Sequence, residues 1–370
     1  MKFLNSNLEE NPEIISGDGP WLHTADGRKL FDCWLGSGTL IFGHEKTDSA
    51  SIGTKMLPSG VKLEESFQIA LKALVNFQIA SIGFQTGGSA AVSRACRLAR
   101  AATGRTKIAV VGNFWHGSDD NFLFKNNHEP LSTGVVSDNG LLVQYFEDTA
   151  SFIANAQLAD FAALMVEPFQ GSNPSHTMLD DITPAVRDNM KAAGTLLICD
   201  EVITGFRECY GSCLESRRVE PDIVVFGKAI ANGFPVGVVL VSDSVPITAK
   251  QLPFWGGTFA ASPWQISVIS SHLNRLNDLK YEALISNHME VKNYLKSNIH
   301  FENFGYELNY GPFFARISIL NRGKTAREFL SDHGNARRQM QDELLDKGIH
   351  IGHNGLIFPS IYNIAEATIE

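Results

Sequence analysis

The chain has 370 residues, 44% hydrophobic and 19% charged, a composition that fits a globular protein of two domains. Its formal net charge of −9 argues against nucleic acid or an anionic membrane as the main partner, although a local pocket can still take a small anion. No apolar run reaches the roughly 18 residues that a membrane-spanning helix needs. The N-terminal MKFLNSNLEENPEII lacks the apolar core of a signal peptide, so the cytoplasm is the expected location. Cys33, Cys96, Cys199, Cys209 and Cys213 are odd in number and sparse, which implies no disulfide framework. No histidine lies near Cys209 and Cys213 in sequence, so these read as ordinary thiols and no metal is expected.

Residues 1 to about 55 form an N-terminal segment expected to contribute to a small domain. Within it, Trp21 to Phe31 reads as a hairpin that turns at Asp26-Gly27. Residues 56–275 alternate between helical and apolar strand patterns. Phe84 opens a turn, and Ser89 to Ala102 is predicted as a helix with Val92, Cys96 and Ala99 on one face. Strands are predicted at Ile108–Val111 and Ala162–Val166, then a helix from Pro184 to Ala193 that stops at Gly194. Two further strands follow at Leu196–Cys199 and Ile223–Phe226. The pattern predicts an α/β domain with a mostly parallel sheet covered by helices on both faces. Residues 276–370 predict a smaller α+β domain: a helix from Tyr281 to Leu295, a strand from Phe313 to Ile319, and a helix from about Ala326 to Lys347.

Three loops at strand or helix ends hold the polar residues of interest. Thr86-Gly87-Gly88-Ser89-Ala90-Ala91 precedes a helix, where glycines and free N–H groups favour a phosphate; alone, such a turn is more often only a cap. Leu196 to Cys199 runs straight into Asp200 and Glu201, which read either as functional acids or as solvated, capping ones. A magnesium-nucleotide role for them needs a G-x-x-x-x-G-K-[ST] loop, and neither this nor G-x-G-x-x-G occurs. Ile223 to Phe226 ends at Gly227-Lys228; a lysine removed from water there loses its proton more readily and becomes a nucleophile. Together, a phosphate cup, an amine for an imine and a carboxylate facing a pyridine nitrogen are what pyridoxal 5'-phosphate requires.

At this point the chain resembles the class III (subgroup II) aminotransferases, on the glutamate-1-semialdehyde 2,1-aminomutase branch. The matching segments, in the family's order, are PEIISGDGPWLHTADGRKLFD, IFGHE, TGGSAAVSRACRLARAATGRTKI, GNFWHG, VEPFQG, CDEVITGFR, PDIVVFGKAIANGFPVG and GGTFAASP. The resemblance implies the aspartate-aminotransferase-like fold type I. It implies that Lys228 is the imine lysine and Asp200 the partner of the pyridine nitrogen, and that Gly88 and Ser89 donate to the phosphate. Trp115 is similar to the aromatic stacked on one ring face, with Val202 on the other; His116, Glu167 and Glu201 stand behind these groups. Thr258 is similar to the threonine that reaches the neighbouring subunit's phosphate, which implies a homodimer. Departures include Ala90 where the family has an acid, and Trp115 where tyrosine is commoner. The implied activity is amino transfer between a small amine or amino acid and a carbonyl acceptor. The alternatives are the intramolecular 2,1-shift and, more remotely, a non-catalytic cofactor-binding relative. Arg207 and Arg316 are candidates for a substrate carboxylate, although a surface or interface ion pair is the favoured reading of both.

Overall fold

A computed structural model describes residues 12–45, 63–112, 114–124, 129–135, 142–246, 253, 255–320 and 334–365. In chain order it begins with strands β1 (Ile14–Asp18), β2 (Trp21–Thr24) and β3 (Lys29–Asp32), followed by helix α1 (Glu65–Lys72). Next come β4 (Ile79–Gln85), α2 (Gly88–Thr103), β5 (Lys107–Val111), β6 (Val143–Phe146), α3 (Thr149–Asn155) and β7 (Phe161–Val166). Then β8 (Phe169–Gln170), β9 (Asn173–Thr177), α4 (Pro184–Ala193), β10 (Leu196–Asp200), β11 (Ile223–Phe226) and β12 (Gly237–Ser242) follow. The chain closes with α5 (Pro263–Asn277), α6 (Tyr281–Asn298), β13 (Tyr306–Tyr310), β14 (Ala315–Ile319), α7 (Asn335–Asp346), β15 (Ile349–His350) and β16 (Leu356–Ile357). It divides into two compact units, one of residues 49–170 and 176–279, the other of residues 1–48, 171–175 and 280–370.

The larger unit is built on a seven-stranded sheet in the order β4-β12-β11-β10-β7-β5-β6. The strands from β11 to β6 pair in parallel, while β12 runs antiparallel to both β11 and β4. The parallel strands β7 and β11 are apolar throughout, as burial on both faces demands; Phe161–Val166 and Ile223–Phe226 are buried at every position. Helix α2 lies across the sheet on a face of Ala91, Val92, Ala95, Cys96, Leu98, Ala99 and Ala102, spaced three or four residues apart. Its small side chains bring the helix close to the strands. Gly104 ends it in the left-handed region at φ +69°, where its N–H donates to the carbonyl of Arg100. Helix α4 starts as the sequence signals: Thr183 caps it by accepting from Val186 N at 3.3 Å, Pro184 follows, and Gly194 stops it at φ +69°.

Two elements differ from the sequence pattern. Phe84 lies inside β4, opposite Val238, and the turn begins after Gln85. Ala80, Ser81 and Gly83 are poor strand formers, and this outer strand is held by its pairing with β12. The apolar run Gly237–Ser242, which follows a turn-rich segment, is a full buried strand.

The smaller unit contains the sheets β1-β2-β3-β15 and β13-β14-β16. The hairpin between β2 and β3 turns at Gly27, whose φ is +89°. The strand expected from Phe313 starts at Ala315, and the described part of the last helix is Asn335–Asp346; residues 326–333 of that expectation lie outside the described residues. Phe31, Leu295, Tyr306, Ile317, Leu344 and Ile349 help form one apolar core.

Beside that core, the buried carboxylate of Asp32 accepts from Trp34 N at 2.9 Å and pairs with His44 Nε2 at 2.8 Å and His350 Nδ1 at 2.9 Å. Burial alone pushes the Asp32 carboxyl up, but the hydrogen bonds from His350 and His44 outweigh it and hold the group well below the usual carboxylate range. A depressed folded-state pKa adds stability above the unfolded value near 4, which is lost as pH falls through the folded one. Asp32→Asn is therefore expected to cost about 3 kcal/mol at pH 7. Denaturant titrations of both proteins should show that gap shrinking only under strongly acid conditions; a gap that grows as pH falls contradicts the assignment.

Candidate active site

The four neighbouring parallel strands β5, β7, β10 and β11 end at the same edge of the sheet, and their loops hold the polar residues. Because β4 is separated from β11 by one antiparallel strand, it ends at that edge too. Trp115 and His116 lie beyond β5, Glu167 just beyond β7, Asp200 at the tip of β10 and Lys228 two residues past the last pair of β11. Carboxyl ends of strands in open α/β sheets are where ligands bind, because there the backbone leaves the ladder and helix N-termini converge.

Asp200 is 3% exposed, and both its oxygens are engaged. Oδ2 lies 2.8 Å from His116 Nδ1, and Oδ1 accepts from Val202 N at 3.1 Å. His116 is itself buried, stacked on Phe114 at 5.0 Å and edge-on to Phe122 at 5.7 Å, so its ring plane is fixed. Its Nε2 is buried with no partner among the described residues. Glu167, also buried, accepts from Trp115 N at 3.0 Å and sets the backbone that presents the half-exposed Trp115 ring.

Helix α2 begins at this edge without a side-chain cap. Gly88 leaves room for Val202: a Cβ there would lie 2.9 Å from Val202 Cγ1. A Cβ on Gly227 would meet the same methyl at 3.3 Å and Gly88 Cα at 3.5 Å, so Gly88, Val202 and Gly227 adjoin. The Ser89 hydroxyl accepts from Ser118 N at 3.2 Å, which ties the turn to the Trp115–Gly117 loop.

Lys228 has φ +47°, a left-handed conformation uncommon for a side chain of this size. Burial pushes its amine down to about 8, with the Arg207 guanidinium adding to the effect and Asp200 and Glu167 opposing it. About a tenth is thus neutral and nucleophilic at pH 7, far more than for an ordinary lysine. Glu201 has turned away into the interior: it accepts from Ser212 Oγ and Thr204 Oγ1, both at 2.5 Å, and from Cys213 N at 3.1 Å. Burial raises its pKa in spite of those bonds. It braces the loop after β10 rather than facing a ligand.

The structure thus brings Gly88, Ser89, Trp115, His116, Glu167, Asp200, Val202 and Lys228 together. Thr258 stands apart from them in the described contacts, exposed in a turn next to Phe259, which is 60% exposed. The surface reading of the two arginines is corrected. Arg207 is 0% exposed, its Nε donates to Ile203 O at 3.1 Å, and it acts on Lys228 as a buried cation. Arg316 is 3% exposed on β14 in the smaller unit, where Nη1 donates to Gly171 O at 2.8 Å. Sequence reasoning missed Gln85, Trp255 and Gln265, which hydrogen-bond across about half the chain; the one local sign was the capping-box spacing of Ser262 and Gln265.

An uncapped helix N-terminus, a depressed lysine and a buried aspartate at one sheet edge fit a cofactor with a phosphate, an aldehyde and a basic ring nitrogen. The orphaned interior His116 Nε2 shows that this imidazole is committed to Asp200 alone among the described residues. These features define a cofactor enzyme of the fold type I class. The class III aminotransferase family description matches residues 7–355: the chain belongs to that family and is a pyridoxal-phosphate-dependent enzyme. The chain is 30% identical over 363 residues to a glutamate-1-semialdehyde 2,1-aminomutase of Methanosphaera stadtmanae, covering 91% of this chain and 83% of that one. In structure it is similar to an omega-transaminase from Sphaerobacter thermophilus, with a TM-score of 0.80 at 22% identity over 96% of this chain and 88% of that one. It is also similar to a glutamate-1-semialdehyde aminomutase from Pseudomonas aeruginosa, with a TM-score of 0.77 at 20% identity over 96% and 84%. Among the described residues no helix is long and apolar enough to cross a membrane, and no cluster of His, Cys, Asp and Glu is placed to hold a metal.

In cofactor-free protein, acylation of Lys228 followed by peptide mass spectrometry is expected to show a midpoint near pH 8, set by burial and by Arg207. Arg207→Met should move the midpoint upward. A wild-type midpoint at the ordinary lysine value of about 10.4 contradicts the electrostatic reading.

Proposed function

We propose that the chain transfers an amino group between an amine or amino acid and a carbonyl acceptor, with Lys228 as the covalent attachment point of its cofactor. The observation that supports this most is the placement of Asp200 and Lys228 at the ends of adjacent parallel strands. Asp200 pairs with Val225 across the β10–β11 ladder, three residues before Lys228. When bound, pyridoxal phosphate supplies an aldehyde that captures the substrate amine and a ring that accepts electrons from the neighbouring carbon.

The N–H groups of Gly88 and Ser89, at the positive end of α2, bind the phosphate. Trp115 and Val202 hold the two ring faces and exclude water from them. Asp200 accepts the proton-bearing ring nitrogen as a hydrogen-bond donor, and His116 fixes the carboxylate in that direction. Lys228 Nζ, once free of the cofactor, would carry a proton between the substrate carbon and the cofactor's aldehyde carbon. Its lowered pKa leaves Nζ free to accept that proton. Thr258, exposed in this protomer, reaches the phosphate site of a second copy, so the working unit is a homodimer.

A second reading is an intramolecular 2,1-amino shift. It is supported by the identity to the Methanosphaera stadtmanae aminomutase and by the DEVITGFR segment around Asp200. Borohydride treatment of protein loaded with labelled pyridoxal phosphate should fix the label on the peptide containing Lys228, and Lys228→Ala should fix none. Label on another peptide removes the proposed attachment point. With the same loaded protein, product formation that depends on both an added amino donor and a carbonyl acceptor supports transfer; turnover with neither supports the shift.

A further inference from the structure

Gln85 is the last residue of β4 and directly precedes the Thr86–Ser89 turn. Trp255 directly precedes Gly256-Gly257-Thr258. The side-chain amide of Gln85 donates to the backbone carbonyl of Trp255 at 3.0 Å, across 170 positions of sequence. The backbone carbonyl of Gln85 in turn accepts from Gln265 Nε2 at 3.1 Å. Gln265 belongs to the first turn of α5, where it forms a capping box with Ser262. Gln85 is 4% exposed and Gln265 1%, so water does not compete for these bonds.

Packing reinforces the connection. Gly83, two residues before Gln85, lies directly under the Trp255 indole: a Cβ there would fall 1.8 Å from Cζ2. On the other side of the turn, a Cβ on Gly237 would fall 2.4 Å from Gly87 O. The turn and the Trp255–Thr258 loop are therefore fastened to the same strand end, one through its backbone and the other through a single buried amide.

We propose that Gln85 is a positioning residue for the cofactor's phosphate, because it locks the Thr86–Ser89 turn and the loop bearing Thr258 into one rigid unit. This rests on the function proposed above. In that homodimer the turn serves the subunit's own site and Thr258 serves its neighbour's. One amide then sets the phosphate contacts of both sites, although it touches neither phosphate.

The test compares pyridoxal phosphate with pyridoxal, which has the same aldehyde and ring but no phosphate. Affinities for cofactor-free wild-type protein, Gln85→Met and Gln265→Met are read from absorbance titrations. In the wild type the phosphate form binds more tightly. In Gln85→Met that preference should fall about tenfold, the scale of one lost buried hydrogen bond, while pyridoxal affinity stays unchanged. Gln265→Met, which leaves the side-chain amide but frees the Gln85 carbonyl, should lower the preference less. It decides the matter should Gln85→Met not fold. An unchanged preference, or an equal loss for both ligands, overturns the proposal and marks Gln85 as structural only. A wild type that shows no preference for the phosphate form instead overturns the underlying functional reading.

Discussion

The site depends on one constraint: Asp200 is a carboxylate taken almost wholly out of water at the end of an apolar strand. Burial of a carboxylate is costly unless its oxygens are bonded, and here one is met by His116 and the other by the Val202 N–H. Meeting that need shapes what surrounds it. Phe114 and Phe122 hold the imidazole in plane, and the chain turns sharply after Asp200 so that Val202 can donate. The same turn brings the Val202 side chain against Gly88 and Gly227, which is why neither position tolerates a Cβ without displacement. The carboxylate thus organises the packing at this edge of the sheet as well as its charge.

Charge is distributed around Lys228 with opposite signs. Asp200 and Glu167 favour its ammonium form, while burial and the hidden Arg207 favour the neutral amine, and the latter pair prevails. Arg207 is placed by a loop of unusual backbone: Phe206 has φ +61°, its ring packs on Phe226 at 5.3 Å, and Gly205 is too close to Phe226 for a side chain. A guanidinium retains its proton at any working pH, so it is a constant bias on the lysine. The loop after β10 therefore acts on both Asp200 and Lys228.

Local sequence pattern revealed the parallel core because strands buried on both faces are apolar along their length, as Leu196–Cys199 and Ile223–Phe226 are. Helix α4 was equally legible, since Thr183-Pro184 and Gly194 mark its ends by backbone chemistry. Strand β4 was not, because Ala80, Ser81 and Gly83 show no strand preference and its place is fixed by the distant strand β12, with Gln85 opposite Gly237. Gly83 is small to admit Trp255, a reason that exists only in three dimensions. At the site, motif order singled out Lys228, Asp200 and the glycine turn, which lie at one edge of the sheet. Arg207 was misjudged because a charged residue in a Gly- and Cys-containing loop ordinarily reaches solvent. Gln85 was invisible because a buried glutamine has no periodicity, and its partners are distant in sequence.

The central claim is that Asp200 holds a proton on the ring nitrogen of the cofactor. The direct measurement is the 15N chemical shift of ring-labelled pyridoxal phosphate bound to the wild-type protein and to Asp200→Asn. The account predicts a shift characteristic of a protonated ring in the wild type across neutral pH, and of an unprotonated ring in the variant. An unprotonated nitrogen in the wild type, or the same protonated shift in both, contradicts it.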